Sequence, residues 1–196
     1  MTSFSLQHIL GISAGILSFL AFVPYIIATL RGINRPNRAT WIIWAILGFI
    51  LLGSYKAAGA TDTLWLTVGN VVAFSAVVLI SFKYGEGGWK LLDISCLTLA
   101  ALGIFLWWYY SSPLLALYLS VVLDFVGAIP TLKKTYEDPE SENLLSWIIF
   151  WIANTVNLFA IHEWTMAMAL YPLYMFGITG LLVFVILFSK KKSGQE

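Results

Sequence analysis

PYIIATLRGINRPNRATWIIW, residues 24–44, is the tail of one apolar segment, a short loop with three arginines, and the head of the next apolar segment. Displaced by 106 positions, the arrangement recurs as PTLKKTYEDPESENLLSWIIFW, residues 130–151. Between positions 17 and 46 the copies share nine residues in thirty gapless positions: Leu17/Leu123, Phe19/Phe125, Pro24/Pro130, Thr29/Thr135, Asn37/Asn143, Trp41/Trp147, Ile42/Ile148, Ile43/Ile149 and Ile46/Ile152. Common hydrophobicity does not account for matched proline and tryptophan. The chain reads as a duplicated unit, and an internal repeat constrains the fold ahead of any local feature.

Composition names the medium. Of 196 residues, 60% are apolar, 16% aromatic and 11% charged, against about 25% charged in average soluble chains. A bilayer core needs about 20 apolar residues per helix. Seven segments qualify, at 8–30, 39–57, 63–83, 91–110, 113–132, 144–161 and 165–189. RGINRPNR, AAGATD, KYGEGGWK, SSP, KKTYEDPESEN and HEW separate them, too short to hold a further domain. The first segment lacks a preceding Lys or Arg and a following small-residue cleavage site, so it is expected to be a retained span rather than a signal peptide. The single cysteine, Cys96, excludes an intramolecular disulfide and a cysteine metal site.

With the N-terminus outside, ten basic residues fall in inside loops and only Lys56 outside. That bias predicts an N-out, C-in orientation. The expected fold is an all-α membrane protein of seven transmembrane helices: a first triple-helix repeat over 1–90, a linker helix over 91–112, and a second triple-helix repeat with a basic tail over 113–196. Three helices invert the chain direction and a fourth restores it, so the repeats are parallel.

Three helices, one linker and three more, with Pro24 and Pro130 ending the first and fifth spans, resemble the SWEET and PQ-loop transporter superfamily, in a bacterial branch similar to SemiSWEETs. Pro24-Tyr25 and Pro130-Thr131 stand where that family has its PQ dipeptide. The resemblance implies a transporter that moves a small polar solute (sugar, vitamin or nucleoside-like, or amino-acid-like) by alternating access, in a bacterial inner membrane. It implies hinges at Pro24 and Pro130, although each proline also suits an ordinary kink. Asn70 matches the family's ligand-binding asparagine on the third helix; an interhelical hydrogen bond is the alternative. Its repeat mate is Phe176, so a symmetric pair of asparagines is not expected. The family's stacking tryptophans map to Trp44 and Trp151.

Other candidates come from the residues directly. Trp147, Trp151, Asn154 and Asn157 follow the spacing of one helical face, while Trp44, Gly48 and Tyr55 lie on the matching face of the second span. Trp41 and Trp147, each beginning a helix, also suit an interfacial belt. Tyr174, in YPLYMF, completes the expected cavity set. Asp124 lies deep in a span, where a carboxylate costs about 2.5–3.5 kcal/mol on insertion scales; it reads as a proton-coupling group or a buried structural acid. Arg31, Arg35 and Arg38 in one inside loop face Glu137 and Asp138 in another, a candidate cytoplasmic gate. Lys56 and His162 occupy matching outer positions, where snorkelling accounts for them.

No histidine pairing suggests haem or zinc, no serine–histidine arrangement a hydrolase, and no glycine-rich loop a phosphate site. Neither an enzyme nor a cofactor is expected, and the partners are a solute and the bilayer, not nucleic acid, with the chain a monomer or homo-oligomer. A receptor or cargo-binding protein of the same architecture, or a membrane scaffold, is the alternative.

Overall fold

The computed structural model describes residues 6–57, 64–86, 89–110, 113–162 and 164–193. The side chains of Tyr55 and Lys56 lie outside the described residues. Among those described there are seven α-helices and no strand: α1 (Leu6–Leu30), α2 (Arg38–Ala57), α3 (Leu64–Tyr84), α4 (Leu91–Tyr110), α5 (Pro113–Glu137), α6 (Leu144–Phe159) and α7 (Met166–Ser193). Three of them, α1, α3 and α7, are long and apolar enough to cross a membrane. The fifth helix runs past its expected end at residue 132, through Lys133 and Lys134 to Glu137.

Local chemistry sets the joints. Gly32, at φ 72°, follows α1 in the left-handed conformation that glycine adopts without steric cost. Its N–H bonds the Thr29 carbonyl and the Ile33 N–H bonds Ala28, closing a Schellman cap. The Asn37 side chain accepts the Thr40 N–H at 3.1 Å, and Asn143 accepts Ser146 N–H at 2.9 Å. Matched asparagines at 37 and 143 are thus N-caps of α2 and α6, satisfying amide donors that the first helical turn leaves unpaired.

The packing inverts the soluble pattern. Ile9, Ile12, Ile16, Phe19, Val23 and Ile27 are exposed along α1, and α4 and α7 present similar outward rows. The buried faces instead hold small and hydroxyl residues, such as Ser18, Thr29, Thr40, Thr131 and Thr135. Hydrocarbon around the bundle tolerates the outer rows, and small residues let helix backbones approach. Thr131 donates to Thr40 Oγ1 at 2.9 Å across the α2–α5 contact. Both prolines sit inside unbroken helices, Pro24 in α1 and Pro130 in α5.

Helix α1 packs on α3 and α6, and α5 on α7 and α2; α2 also packs on α3, and α6 on α7. Helix α4 touches α5 and α2, through a narrow face of Asp93, Cys96, Ala100 and Gly103. The loops after α1 and α5 meet the ends of α3 and α7 at one end of the bundle, called the loop end below.

Gly127 tests how close this contact is. A Cβ there would lie 2.9 Å from Ile43 Cγ2 and 3.3 Å from Trp44 Nε1. Gly127→Ala should therefore cost about 1–3 kcal/mol by overpacking, seen as a lower unfolding midpoint in detergent. Gly177→Ala, where no atom lies within 4 Å, should leave that midpoint in place.

Candidate functional site

A cavity of about 50 Å³ lies inside the bundle, and every helix except α4 contributes to its wall. Five rings line it: Trp41, Trp44, Phe74, Trp147 and Phe150. Their mutual angles run from 38° between Trp44 and Phe74 to 84° between Trp41 and Trp44. The polar wall consists of Ser18, Asn70, Asp124, Asn154 and Thr179. One water needs about 10–15 Å³ of such space. This conformation thus has room for a few waters, and a larger occupant requires the helices to separate.

Most of the polar wall is held by bonds within the protein. Ser18 donates to Asn70 Oδ1 at 2.9 Å, linking α1 to α3. Asn154 Nδ2 donates to the Phe150 carbonyl and the Thr179 hydroxyl to that of Met175, each one turn back. Asp124 is buried at mid-helix, accepting the Tyr174 hydroxyl at 2.7 Å and the Tyr171 hydroxyl at 3.2 Å. Trp44 Nε1 donates to the Asp124 backbone carbonyl at 3.2 Å, so the ring and the carboxylate are positioned together. Ser18 and Asp124, at matching positions of the sequence repeat, tie α1 to α3 and α5 to α7.

Toward the loop end the cavity meets a buried polar plug. Lys134 Nζ donates to Glu142 Oε1 at 2.5 Å and to the Arg35 carbonyl at 2.6 Å. Glu142 also accepts Trp147 Nε1 at 2.9 Å and the Tyr25 hydroxyl at 3.3 Å, and Trp41 Nε1 in turn donates to that hydroxyl. The Lys134 and Glu142 side chains are 5% and 0% exposed. One connected network therefore joins α1, α2, α5, α6 and both inner loops. Beside it, Asn37 Nδ2 donates to Asp93 and Glu86, and Asp93 accepts the Lys90 N–H as the returning half of a capping box. Burial pushes the Glu86 carboxyl up, but bonds from Lys90 and Asn37 outweigh it and leave the group below its ordinary 4.5. The same contact with Glu86 raises Lys90.

The structure brings some expected residues together and separates others. Trp44, Asn70, Asp124 and Asn154 share the cavity wall. Tyr174 stands behind that wall as the partner of Asp124. Trp151 does not join it: the ring is 37% exposed, stacks on Phe176 and packs against Gly180. Asn157 also lies outside the wall, near the end of α6, where its carbonyl accepts the Ala160 N–H. Of the face expected on α6, Trp147 and Asn154 line the cavity, while Phe150 and Ala153 line it in place of Trp151 and Asn157. Trp41 and Trp147 are not belt residues but core, at 1% and 3% exposure.

At the gate, Arg35 meets Asp138 at 2.6 Å, with side chains 58% and 43% exposed. Arg38 instead caps α3 through the Ser81 and Phe82 carbonyls, Glu137 pairs with Lys133 in its own helix, and Arg31 is exposed. Sequence reading missed the buried tie of Lys134 to Glu142. Its signal was present: Leu123, Asp124, Gly127, Ala128, Thr131, Lys134 and Thr135 make one helical stripe, and every member is buried. Tyr171 was missed too, three residues before Tyr174 on the same face.

No family model, curated protein or solved structure matches this chain. The site is therefore judged on its own geometry.

Removing one partner of a buried ion pair costs about 3–5 kcal/mol, because the other charge is left uncompensated. Lys134→Met should lower the unfolding midpoint accordingly, and adding Glu142→Gln should recover at least half of the loss. Arg35→Ala, which breaks an exposed pair, should change stability by about 0–1 kcal/mol. The depressed Glu86 carboxyl contributes stability above its ordinary 4.5 that is lost as pH falls through its lower folded value. An acid titration of the unfolding midpoint should show this loss, and Glu86→Gln should flatten it.

Proposed function

We propose that the chain is a seven-span membrane transporter of the SWEET and PQ-loop type, two parallel three-helix repeats joined by α4. One observation carries the reading: a ring-lined polar cavity walled by α1, α2 and α3 on one side and α5, α6 and α7 on the other, with α4 left out. The helix contacts support it, since α1–α3, α2–α3 and α1–α6 become α5–α7, α6–α7 and α5–α2 when each helix of the first triplet is exchanged for its mate. The matched N-caps at Asn37 and Asn143 support it independently.

In this reading the solute occupies the space between the triplets, in contact with Asn70, Asn154 and the rings. The buried plug of Tyr25, Lys134, Glu142 and Trp147 holds the loop end closed, and Arg35 with Asp138 adds an exposed tie over it. Transport requires these contacts to separate while Pro24 and Pro130, which leave carbonyls without their helical donors, concentrate the bending. In this reading the membrane is a bacterial inner membrane, and the bias of the basic loops supports a loop end that faces the cytoplasm.

Two measurements test this. In a Cys96→Ala background, a cysteine replacing Arg31 should react with an impermeant maleimide only in permeabilised cells, and one replacing His162 in intact cells. Purified protein in liposomes should show saturable uptake of at least one solute from a panel of sugars, amino acids, nucleosides, vitamins and small ammonium compounds, and Asn70→Ala should reduce that uptake. Absence of uptake across the panel, with both topology markers as expected, would leave a receptor or scaffold as the better reading.

A further inference from the structure

We propose that the cavity binds a small organic cation of the methylated-ammonium class, held between the Asp124 carboxylate and the aromatic walls. This rests on the reading of the cavity as the solute site and assigns its substrate class. Three features on the wall carry it.

The first is charge. Asp124 is the one ionisable side chain in the cavity lining among the described residues. Among the described residues, no Lys, Arg or His pairs with its carboxylate, whose partners are two tyrosine hydroxyls. Of the other buried carboxylates, Glu142 has its lysine at 2.5 Å, and Asp93, outside the cavity lining, is held by the Asn37 amide and the Lys90 backbone N–H. A buried anion without a counter-charge is costly unless a cation arrives to compensate it.

The second is the rings. A cation is attracted to the face of an aromatic ring, most strongly for tryptophan and where water is excluded. Three tryptophans and two phenylalanines meet here at angles from 38° to 84°, so their planes are turned in several directions around a small space. A methylated ammonium group spreads its charge over an apolar surface and fits such walls without needing hydrogen-bond acceptors of its own.

The third is what the wall withholds. A polyol needs many donors and acceptors, yet the Ser18 and Thr179 hydroxyls and an Asn154 N–H already donate within the protein. An anionic solute would meet Asp124 with no cationic side chain in the lining to offset it.

The test uses the full chain in detergent, titrated with choline and with its uncharged carbon isostere, dimethylbutanol, and read by tryptophan fluorescence and thermal shift. Choline should bind saturably and the isostere should not. Asp124→Asn should weaken choline by about tenfold or more, the scale of one desolvated contact to a charge, and Phe74→Leu should weaken it while keeping an apolar wall. Equal binding of both probes, or unchanged choline binding by Asp124→Asn, overturns the proposal. If Asp124→Asn does not purify as a folded species, the contrast between probes on the wild-type protein and on Phe74→Leu decides. Uptake by liposomes separates this from the transporter reading. Saturable uptake of a neutral solute without choline binding overturns the cation assignment alone; selective choline binding without uptake of any solute upholds it and removes the transporter reading.

Discussion

Lys134 and Glu142 form a contact on which the whole loop end depends. Each would be prohibitively expensive to bury alone, and together they are sustained by the Arg35 carbonyl, the Tyr25 hydroxyl and the Trp147 indole. Because the pair and these partners come from three helices, α1, α5 and α6, and from the loops after α1 and α5, the pair acts as a geometric fastener more than as a source of net stability. Its members cannot part by small degrees. A low-dielectric ion pair is either made with its hydrogen bonds or replaced by water, with little between. The exposed tie between Arg35 and Asp138 has no such character, since solvent substitutes for either partner at little cost.

The interior above it follows from the medium that the outer surface suits. A chain whose exposed rows are Ile, Leu and Phe gains little by burying more of the same, because hydrocarbon offers no contrast to drive it. Specific packing then comes from close backbone approach, as at Gly127 against Ile43, and from hydroxyl bonds such as Thr131 to Thr40. Rings fill the centre because they combine bulk with edge-to-face contacts, as in Phe22 against Phe150 at 78°. Polar groups survive there only with partners, and Ser18 with Asn70, or Asp124 with its tyrosines, are those partners.

Much of this was legible before any coordinates. Seven helices, their order and their ends within a few residues follow from apolar runs and the turn residues between them. Asn70, Trp44, Asp124 and Asn154 were readable as inward groups because a polar residue or tryptophan within an apolar span has few other places to go. The lining of α6 was only partly readable from its tryptophans: Ser146, Phe150 and Asn154 stand at i, i+4 and i+8, a stripe that points to Phe150 rather than Trp151. Lys134 was hidden by a different bias, since a lysine near a helix end looks solvated, and only its place in the α5 stripe argues otherwise. Asp93, in the first turn of α4, is fixed between Asn37 and the Lys90 amide, a contact between distant segments that no local pattern signals. Which loop charges find each other is a tertiary fact, as for Arg38 on the α3 carbonyls, whereas Lys133 and Glu137 are an i, i+4 pair that shows once α5 continues past residue 132.

The pairing of Ser18 with Asp124 has an evolutionary side. Two identical subunits around a shared axis can place a carboxylate only in duplicate, and two such groups facing one small space repel. On the proposed repeat, joining both copies in one chain releases each position to diverge separately. Ser18 then keeps a neutral bond to Asn70, while Asp124 carries a single charge placed off the axis. A lone acid in a pseudo-symmetric chamber is a chemistry open to fused genes and closed to homodimers, and it gives descendants of such a fusion a reason to remain fused.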